Sequence, residues 1–423
     1  MPKLLIEKMV YGGKGIGSVD NTIYFCPFVL SGEVVDFKIL AKKKHYIEVF
    51  PRAIIKASEK RVEPECPYFT ECGGCDYQHI YYNEQLNLKK NILTETFDRI
   101  GKLKLEYIET FPSEIDYNYR NRIQLKLRDM KIGFYKKHSN NIVPIKSCVL
   151  VHYKINLIIN KLNQIGEIIS CNPLDIHIVT SESGDCILKI LFLKPLQSVD
   201  KIIENFINTF KNDVLGLAFY EIKHDSFRQI CLYGRDYIME NINNIKFRIN
   251  MNSFFQINTS QLKNMMTVVT DYIKTRNFQK AADLYCGVGT FSIVVSRIVK
   301  KVIAIENNMS AINDALFNAG LNNCNNITFI NKSVESAIDL VKDDDSELII
   351  IDPPRSGLNN KIIESISKFA KAIIYIACDP TKQARDVKLF LEKQFFLKRI
   401  ILIDMFPQTY HIESICILEK EYE

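Results

Sequence analysis

The chain has 423 residues, 47% of them hydrophobic, which is enough for two or three domains with buried cores and argues against bulk disorder. Its 55 basic residues against 49 acidic leave a net charge of only +6, which permits a nucleic-acid partner without demanding one. No apolar run reaches the roughly 20 residues that span a bilayer, and Met1 to Gly17 carries Glu7, Lys8 and Lys14 where a signal peptide has an apolar core. A cytoplasmic protein is expected, whose twelve cysteines serve as thiols, ligands or catalytic groups rather than disulfides.

Residues 1–57 read as short strands split by turns. Gly12 to Gly17 is glycine-rich and predicts a flexible turn region. Thr22 to Val29, Glu33 to Leu40 and His45 to Phe50 are β-rich, with Lys42-Lys43-Lys44 at a hairpin tip. This is the pattern of a small OB-like β-barrel that binds nucleic acid. A plain β domain with a solvated lysine loop fits the pattern equally well.

A Pro- and Cys-rich stretch follows over 58–75, then a helical pattern from Asn83 to Ile100. Residues 116–137 predict a strand pair with a basic face. Arg120, Arg122, Lys126, Arg128, Lys131, Lys136 and Lys137 meet only Asp116 and Asp129 there: seven cations against two carboxylates, a surplus of five. Tyr117, Tyr119, Phe134 and Tyr135 are interleaved, so cations could hold phosphates while rings stack on bases. An amphipathic hairpin with an ordinary charged face is the alternative. Residues 150–240 are mixed α/β without a usable motif.

From Gln279 onward strands and helices alternate. Apolar runs at 280–284, 301–305, 327–330, 347–351, 372–377 and 397–403 enclose helical stretches near 290–299, 310–320, 335–341, 360–370 and 381–393. That alternation predicts a doubly wound α/β fold with a mostly parallel sheet, closed by an antiparallel pair at 397–406 and 413–419. Three domains are expected: 1–57, a central α+β domain over 58–245, and a Rossmann-like domain over 246–423.

The first strand of that alternation ends in Asp283-Leu284-Tyr285-Cys286-Gly287-Val288-Gly289-Thr290 and runs into a helix. The glycines allow a tight turn and close approach of a ligand. Glu306 ends the next strand, where a carboxylate accepts both hydroxyls of a ribose. The loop lacks the third glycine of a dinucleotide fingerprint and any lysine for phosphate. S-adenosylmethionine therefore fits better than NAD. Asp352-Pro353-Pro354-Arg355 ends the fourth strand, at the edge where open α/β sheets bind ligands. It resembles the N/D-P-P turn of methyltransferases that act on nucleic-acid bases.

Cys378 ends the fifth strand just ahead of Pro380, which starts a helix; a helix N-terminus lowers a thiol pKa. Glu413 follows a loop with acid–base groups, Met405 to Ile412. Uracil C5 is a poor nucleophile until a thiolate adds to C6, and a base must later remove the C5 proton. One cysteine and one carboxylate beside a methyl donor meet that need. Taken singly, a strand-end cysteine is more often a core thiol and a lone glutamate more often a surface acid.

Cys378-Asp379-Pro380 with Ala384-Arg385-Asp386, Asp352 to Arg355, Met405-Phe406-Pro407 with His411 and Glu413, and Ser253-Phe254-Phe255-Gln256-Ile257-Asn258 together resemble the RNA uracil-5-methyltransferases. The resemblance covers nearly the whole chain, since residues 1–57 look like the TRAM domain of that family. It implies a Rossmann-like class I methyltransferase domain, Cys378 as nucleophile, Glu413 as base, and Gln256, Tyr285, Glu306 and Asp352 around S-adenosylmethionine. Two positions depart from the pattern: Tyr410, where several members carry glycine, and Thr290, where some have asparagine.

Cys66, Cys72, Cys75 and the distant Cys148 make four thiols. Spacing alone suits zinc slightly better than a [4Fe–4S] cluster. The ribosomal-RNA members of the resembled family hold a [4Fe–4S] cluster on this spacing, which implies iron and an iron–sulfur character for the central domain. The same members keep TRAM domain and cysteines where tRNA-specific bacterial relatives lack them. The implied partner is RNA, 23S rRNA ahead of tRNA, with no membrane and a monomeric enzyme. An exocyclic-amine RNA methyltransferase that needs no thiol, suggested by Asp352-Pro353-Pro354, is the second reading. An iron–sulfur RNA-binding factor without activity is the third.

Overall fold

The computed structural model describes residues 3–165, 174–194, 199–223 and 226–420. Strands Lys3–Leu5, Lys8–Val10, Lys14–Val19, Thr22–Pro27, Val34–Lys42 and Ile47–Lys56 form one six-stranded, largely antiparallel sheet. It curls around Leu4, Ile6, Val29, Val35, Phe37 and Val49, the barrel-like unit expected of residues 1–57. The glycine run is a turn only at Gly12 and Gly13, where φ is +97° and +74°. From Lys14 it is a strand, contrary to expectation. Gly17 serves close packing there, since a Cβ would stand 2.1 Å from the carbonyl oxygen of Leu5.

The helix Tyr82–Thr96 continues as a π turn over Phe97–Gly101. Its apolar side, Ile92, Leu93 and Phe97, packs with Ala384, Val387 and Phe390 near the other end of the chain. On the same helix Lys89 is wholly buried. Its Nζ donates to Asp404 Oδ1 at 2.6 Å and to the Phe406 carbonyl at 2.9 Å.

A seven-stranded sheet follows. In spatial order its strands are Ile142–Pro144, Lys131–Tyr135, Arg122–Arg128, Leu174–Thr180, Cys186–Phe192, Gly216–Lys223 and Ser226–Gly234. Helices Tyr153–Gln164 and Val199–Phe210 cover one face. The expected basic hairpin is present, and it alternates: Ile123, Leu125 and Leu127 enter the core while Arg122, Gln124, Lys126 and Arg128 take the other face. Its charge surplus is smaller than the local sequence implies. Asp175 on the neighbouring strand pairs with both Lys126 (2.6 Å) and Arg128 (2.7 Å).

The C-terminal part is an eight-stranded sheet. Its strands are β1 (Glu109–Phe111), β2 (Lys280–Leu284), β3 (Lys301–Glu306), β4 (Ile327–Asn331), β5 (Leu348–Ile351), β6 (Ala372–Ala377), β7 (Phe395–Ile403) and β8 (Glu413–Lys420), in the order β4-β3-β2-β5-β6-β8-β7-β1. Strands β2 to β6 are parallel to their neighbours, and β8 runs antiparallel between β6 and β7. Strands β2, β3, β5 and β6 are buried on both faces, so they read as continuous apolar runs, while the edge strand β4 is only partly buried. The edge strand β1 lies outside any sequence-level expectation, because it joins β7 from nearly three hundred residues away. Among the described residues no helix is long and apolar enough to cross a membrane.

Removing one partner of a buried ion pair strands the other charge. Lys89→Ala is therefore expected to destabilise the fold by about 3–5 kcal/mol. The apolar double replacement Lys89→Met with Asp404→Leu should recover much of that loss. Thermal unfolding of the full chain checks both.

Candidate active site

The parallel sheet puts several chain ends on one edge. After β2 the backbone turns sharply: φ is positive at Tyr285 (+66°), Gly287 (+55°) and Gly289 (+84°) before the helix Thr290–Ser296. A Cβ built on Gly287 meets nothing, so the turn faces open space, whereas one on Gly289 would press on Ala315 at 3.3 Å. Tyr285 has a side chain and still holds the left-handed conformation, a strain that clusters at functional sites.

Glu306 at the end of β3 is oriented by two backbone donors, the N–H of Gly287 (3.1 Å) and of Asn308 (2.8 Å). Each of its oxygens keeps a lone pair for a further donor such as a ribose hydroxyl. Asp283 is buried; one oxygen accepts from Ser292 Oγ at 2.5 Å and the other has no hydrogen-bond partner among the described residues. Burial pushes its carboxyl up to about 7. Gln256 reaches the same cleft, its Nε2 3.5 Å from Asp352 Oδ2. Asn121 of the central sheet holds the Gln256 segment, donating to the Gln256 carbonyl (3.1 Å) from Nδ2 and to the Ile257 carbonyl (3.1 Å) from its N–H. Tyr285, Glu306 and Asp352 thus lie at the ends of adjacent strands on one sheet edge, where Gln256 meets Asp352, and Asp283, a residue the site reading missed, lies near the end of β2 beside them. Carboxylates, an amide, a ring and an open glycine turn fit the adenosine and amino-acid parts of S-adenosylmethionine.

Three neighbouring strands deliver the reactive groups. Asp352 follows β5, Cys378 follows β6 and Glu413 opens β8. The β6–β8 register pairs Ala377 with Ser414, which brings the next pair, Cys378 and Glu413, to the same edge. Burial and the Asp352 carboxyl raise Glu413 well above the usual carboxylate range, while Arg355 pulls it down. Burial raises Asp352 in turn, with Asp283 adding to it.

The thiol corrects the expectation from helix position. Asp379 caps the helix Pro380–Leu391, accepting from the N–H groups of Thr381 (2.9 Å) and Lys382 (3.3 Å). Cys378 stands one residue before it, yet its thiol is pushed up to about 11. Burial is the main cause and the Glu413 carboxyl the next; Arg355 opposes both, by charge and by a hydrogen bond to the thiol. Burial first, with the Glu413 and Asp352 carboxyls adding to it, outweighs a local helix end.

The remaining motif residues are supports. Asp386 accepts from Tyr375 Oη (2.7 Å), from the Leu358 N–H (2.8 Å) and from Arg385 Nε (2.7 Å), which ties down the loop after Asp352-Pro353-Pro354-Arg355. His411 lies between Tyr410 and Phe406, with ring centroids at 4.3 Å and 5.5 Å. Burial holds its imidazole down at about 4, hence neutral at neutral pH.

Cys66, Cys72, Cys75 and Cys148 converge on one cavity of about 740 Å³, which Arg120, Lys136 and Lys137 also line. The Cys66 N–H donates to Gln78 Oε1 (3.1 Å) and the Cys148 N–H to Asn156 Oδ1 (2.9 Å). Burial raises all four thiols, Cys72 to about 11. Among the described residues no three His, Cys, Asp or Glu side chains are grouped closely enough to hold a single metal ion.

Comparison with known proteins places the chain. The family model described as tRNA (Uracil-5-)-methyltransferase matches residues 81–421. An uncharacterised RNA methyltransferase of Aquifex aeolicus is 35% identical over 99% of this chain and 98% of its own length. One from Clostridium tetani is 32% identical over 98% and 95%. A crystal structure of Pyrococcus abyssi tRNA (uracil-54, C5)-methyltransferase with S-adenosyl-L-homocysteine covers 99% of this chain and all of that one, at TM-score 0.77 and 23% identity, which shows a shared fold. The chain belongs to the tRNA (uracil-5-)-methyltransferase family, a family of S-adenosylmethionine-dependent RNA uracil-C5 methyltransferases.

The raised Glu413 carboxyl has a cost in stability with a definite sign. The folded protein binds its proton more tightly than the unfolded chain, so stability falls as pH rises above the ordinary carboxylate value of 4.5. Glu413→Gln removes that loss. Its melting temperature should match the parent near pH 4 and exceed it at pH 8, by roughly 1 °C for each kcal/mol relieved.

Proposed function

We propose that the chain methylates C5 of a uridine in RNA, most readily 23S rRNA, with Cys378 as nucleophile and Glu413 as base. The observation that carries the reading is the register that sets Cys378 and Glu413 side by side, with Asp352 on the next strand. S-adenosylmethionine, held by Gln256, Tyr285, Glu306 and Asp352, supplies an electrophilic methyl group when bound.

Cys378 gives up its thiol proton to solvent, and the thiolate adds to C6 of the uracil, forming a C–S bond and moving electron density to C5 and the C4 oxygen. Arg355 favours the thiolate, since it lowers both Cys378 and Glu413. Once C5 carries the methyl group, Glu413 accepts the C5 proton. The electron pair of that C–H bond then expels the thiolate from C6 and restores the ring. A carboxylate raised by burial is a stronger base than one in water, which suits this last step. The base must leave its stack to reach a half-buried thiol, as in other enzymes that act on bases.

We also propose that Cys66, Cys72, Cys75 and Cys148 hold a [4Fe–4S] cluster. An all-thiol donor set around one cavity, with Arg120, Lys136 and Lys137 to offset negative charge, supports this. Methyl transfer moves no electrons through the protein, so the group would order the central region. The four thiols, together with residues 1–57, also support ribosomal over transfer RNA.

Cys378→Ala should lower methylation by at least about 10³-fold and give no covalent adduct with 5-fluorouridine RNA on denaturing gels. Glu413→Gln should form the adduct with ordinary RNA and release it slowly. An adduct with the alanine variant would overturn the nucleophile assignment. Anaerobically purified protein should contain iron and acid-labile sulfide in equal amounts, lost together on replacing Cys72 and Cys75. Stoichiometric zinc without sulfide would replace the cluster by a zinc site.

A further inference from the structure

Tyr11 belongs to the N-terminal barrel by sequence and to the catalytic edge by position. It sits in the turn between strands Lys8–Val10 and Lys14–Val19 and packs against the core of the C-terminal domain. Its ring meets Tyr410 edge-on, with centroids 5.6 Å apart and planes at 86°. Tyr410 in turn lies on His411 at 4.3 Å, two residues before Glu413. The Tyr11 hydroxyl stands 3.5 Å from the carbonyl oxygen of Cys378, a long contact of the kind that tightens when substrate is bound. One barrel side chain therefore touches both the strand end that carries the thiol and the loop that leads to the base.

The turn is held to that spot. A Cβ on Gly13 would lie 3.1 Å from Asp76 Cβ, so the turn packs directly on Asp76. Asp76 is ion-paired with Lys137, whose Nζ lies 5.8 Å from the Tyr410 ring centroid. Tyr410 is thus gripped by Tyr11 on one side and a cation on the other. Burial raises the Tyr11 hydroxyl, so it stays a neutral donor.

We infer that Tyr11 is a positioning residue of the active site, supplied by the barrel, which sets the Cys378 strand end and the Tyr410–His411 segment in register with each other. The barrel then completes the reaction centre as well as contacting RNA. This rests on the reading of Cys378 and Glu413 given above. Edge-to-face pairs are specific in geometry, and small displacements of reacting groups cost large factors in rate.

The test uses the full-length protein under saturating RNA. Tyr11→Ala should lower kcat about 3- to 10-fold, the kinetic equivalent of one lost aromatic contact, with the KM for RNA nearly unchanged. The rate of adduct formation with 5-fluorouridine RNA should fall in parallel. Tyr11→Phe, which keeps the ring against Tyr410 but loses the hydroxyl contact with the Cys378 carbonyl, should restore only part of kcat. Tyr410→Ala is the second variant, expected to act alike, and the double variant should be no worse than either single one. A raised KM with kcat unchanged would overturn the inference and leave the barrel as an RNA grip only. Additive effects in the double variant would overturn it too. If Cys378→Ala stayed active, the reading of the thiol would fail whatever Tyr11 does. If Cys378→Ala were inactive and Tyr11→Ala moved KM alone, only this inference would fail.

Discussion

The wholly buried pair between Lys89 and Asp404 fixes where the catalytic loop can lie. Asp404 is the first residue after β7, and Glu413 is the first of β8. Everything between them hangs on how the loop leaves the sheet. Lys89 holds Asp404 and the Phe406 carbonyl, and Tyr82 Oη adds a bond to the second Asp404 oxygen at 2.8 Å. One turn further along the helix, Gln85 and Gln408 exchange two hydrogen bonds, at 2.9 Å and 3.0 Å. Gln408 accepts this at φ +66°, a conformation that costs about 1–3 kcal/mol without glycine. A buried ion pair adds little net stability over an apolar pair, but it admits only one partner geometry. Here that geometry fixes the loop that ends at Glu413.

The second constraint is electrostatic. Asp283, Asp352, Glu413 and Cys378 lie at one edge of the sheet and each is raised by burial, with Arg355 opposing this at Cys378 and Glu413. Burial therefore favours protons on these acids. A stable core would not gather them; a site that binds a cationic methyl donor and accepts a proton has reason to. Stability is lost where the chemistry is placed, a familiar trade in active sites.

Much of this was legible in the sequence, for physical reasons. Parallel strands buried on both faces read as apolar runs, so β2, β3, β5 and β6 stood out, and helix caps such as Asp379-Pro380 mark where side chains meet the edge. Features that depend on distant partners were not legible. Asp175 neutralises Lys126 and Arg128 across a strand pairing that no local pattern reveals. Lys89 reads as a surface lysine until Asp404, 315 residues away, comes beside it. The Cys378 thiol followed the same rule: the helix end was visible in sequence, and the burial and the carboxyls that outweigh it were not. Gly15 and Gly17 looked like a turn because composition does not show what lies opposite a glycine.

The cysteine segment reaches the catalytic loop by backbone alone. The residues immediately after Cys75, Asp76 and Tyr77, both donate their N–H groups to the Gln408 carbonyl, each at 3.0 Å. Across the same loop, Tyr119 Oη donates to the Pro407 carbonyl at 3.0 Å. A group that fixed the four thiols would therefore set the path of residues 76–77, and through them Gln408. It would need no redox change to matter for catalysis. Barrel, cysteine segment and central sheet thus converge on one short loop, and the separation of Glu413 from Cys378 is what they jointly control.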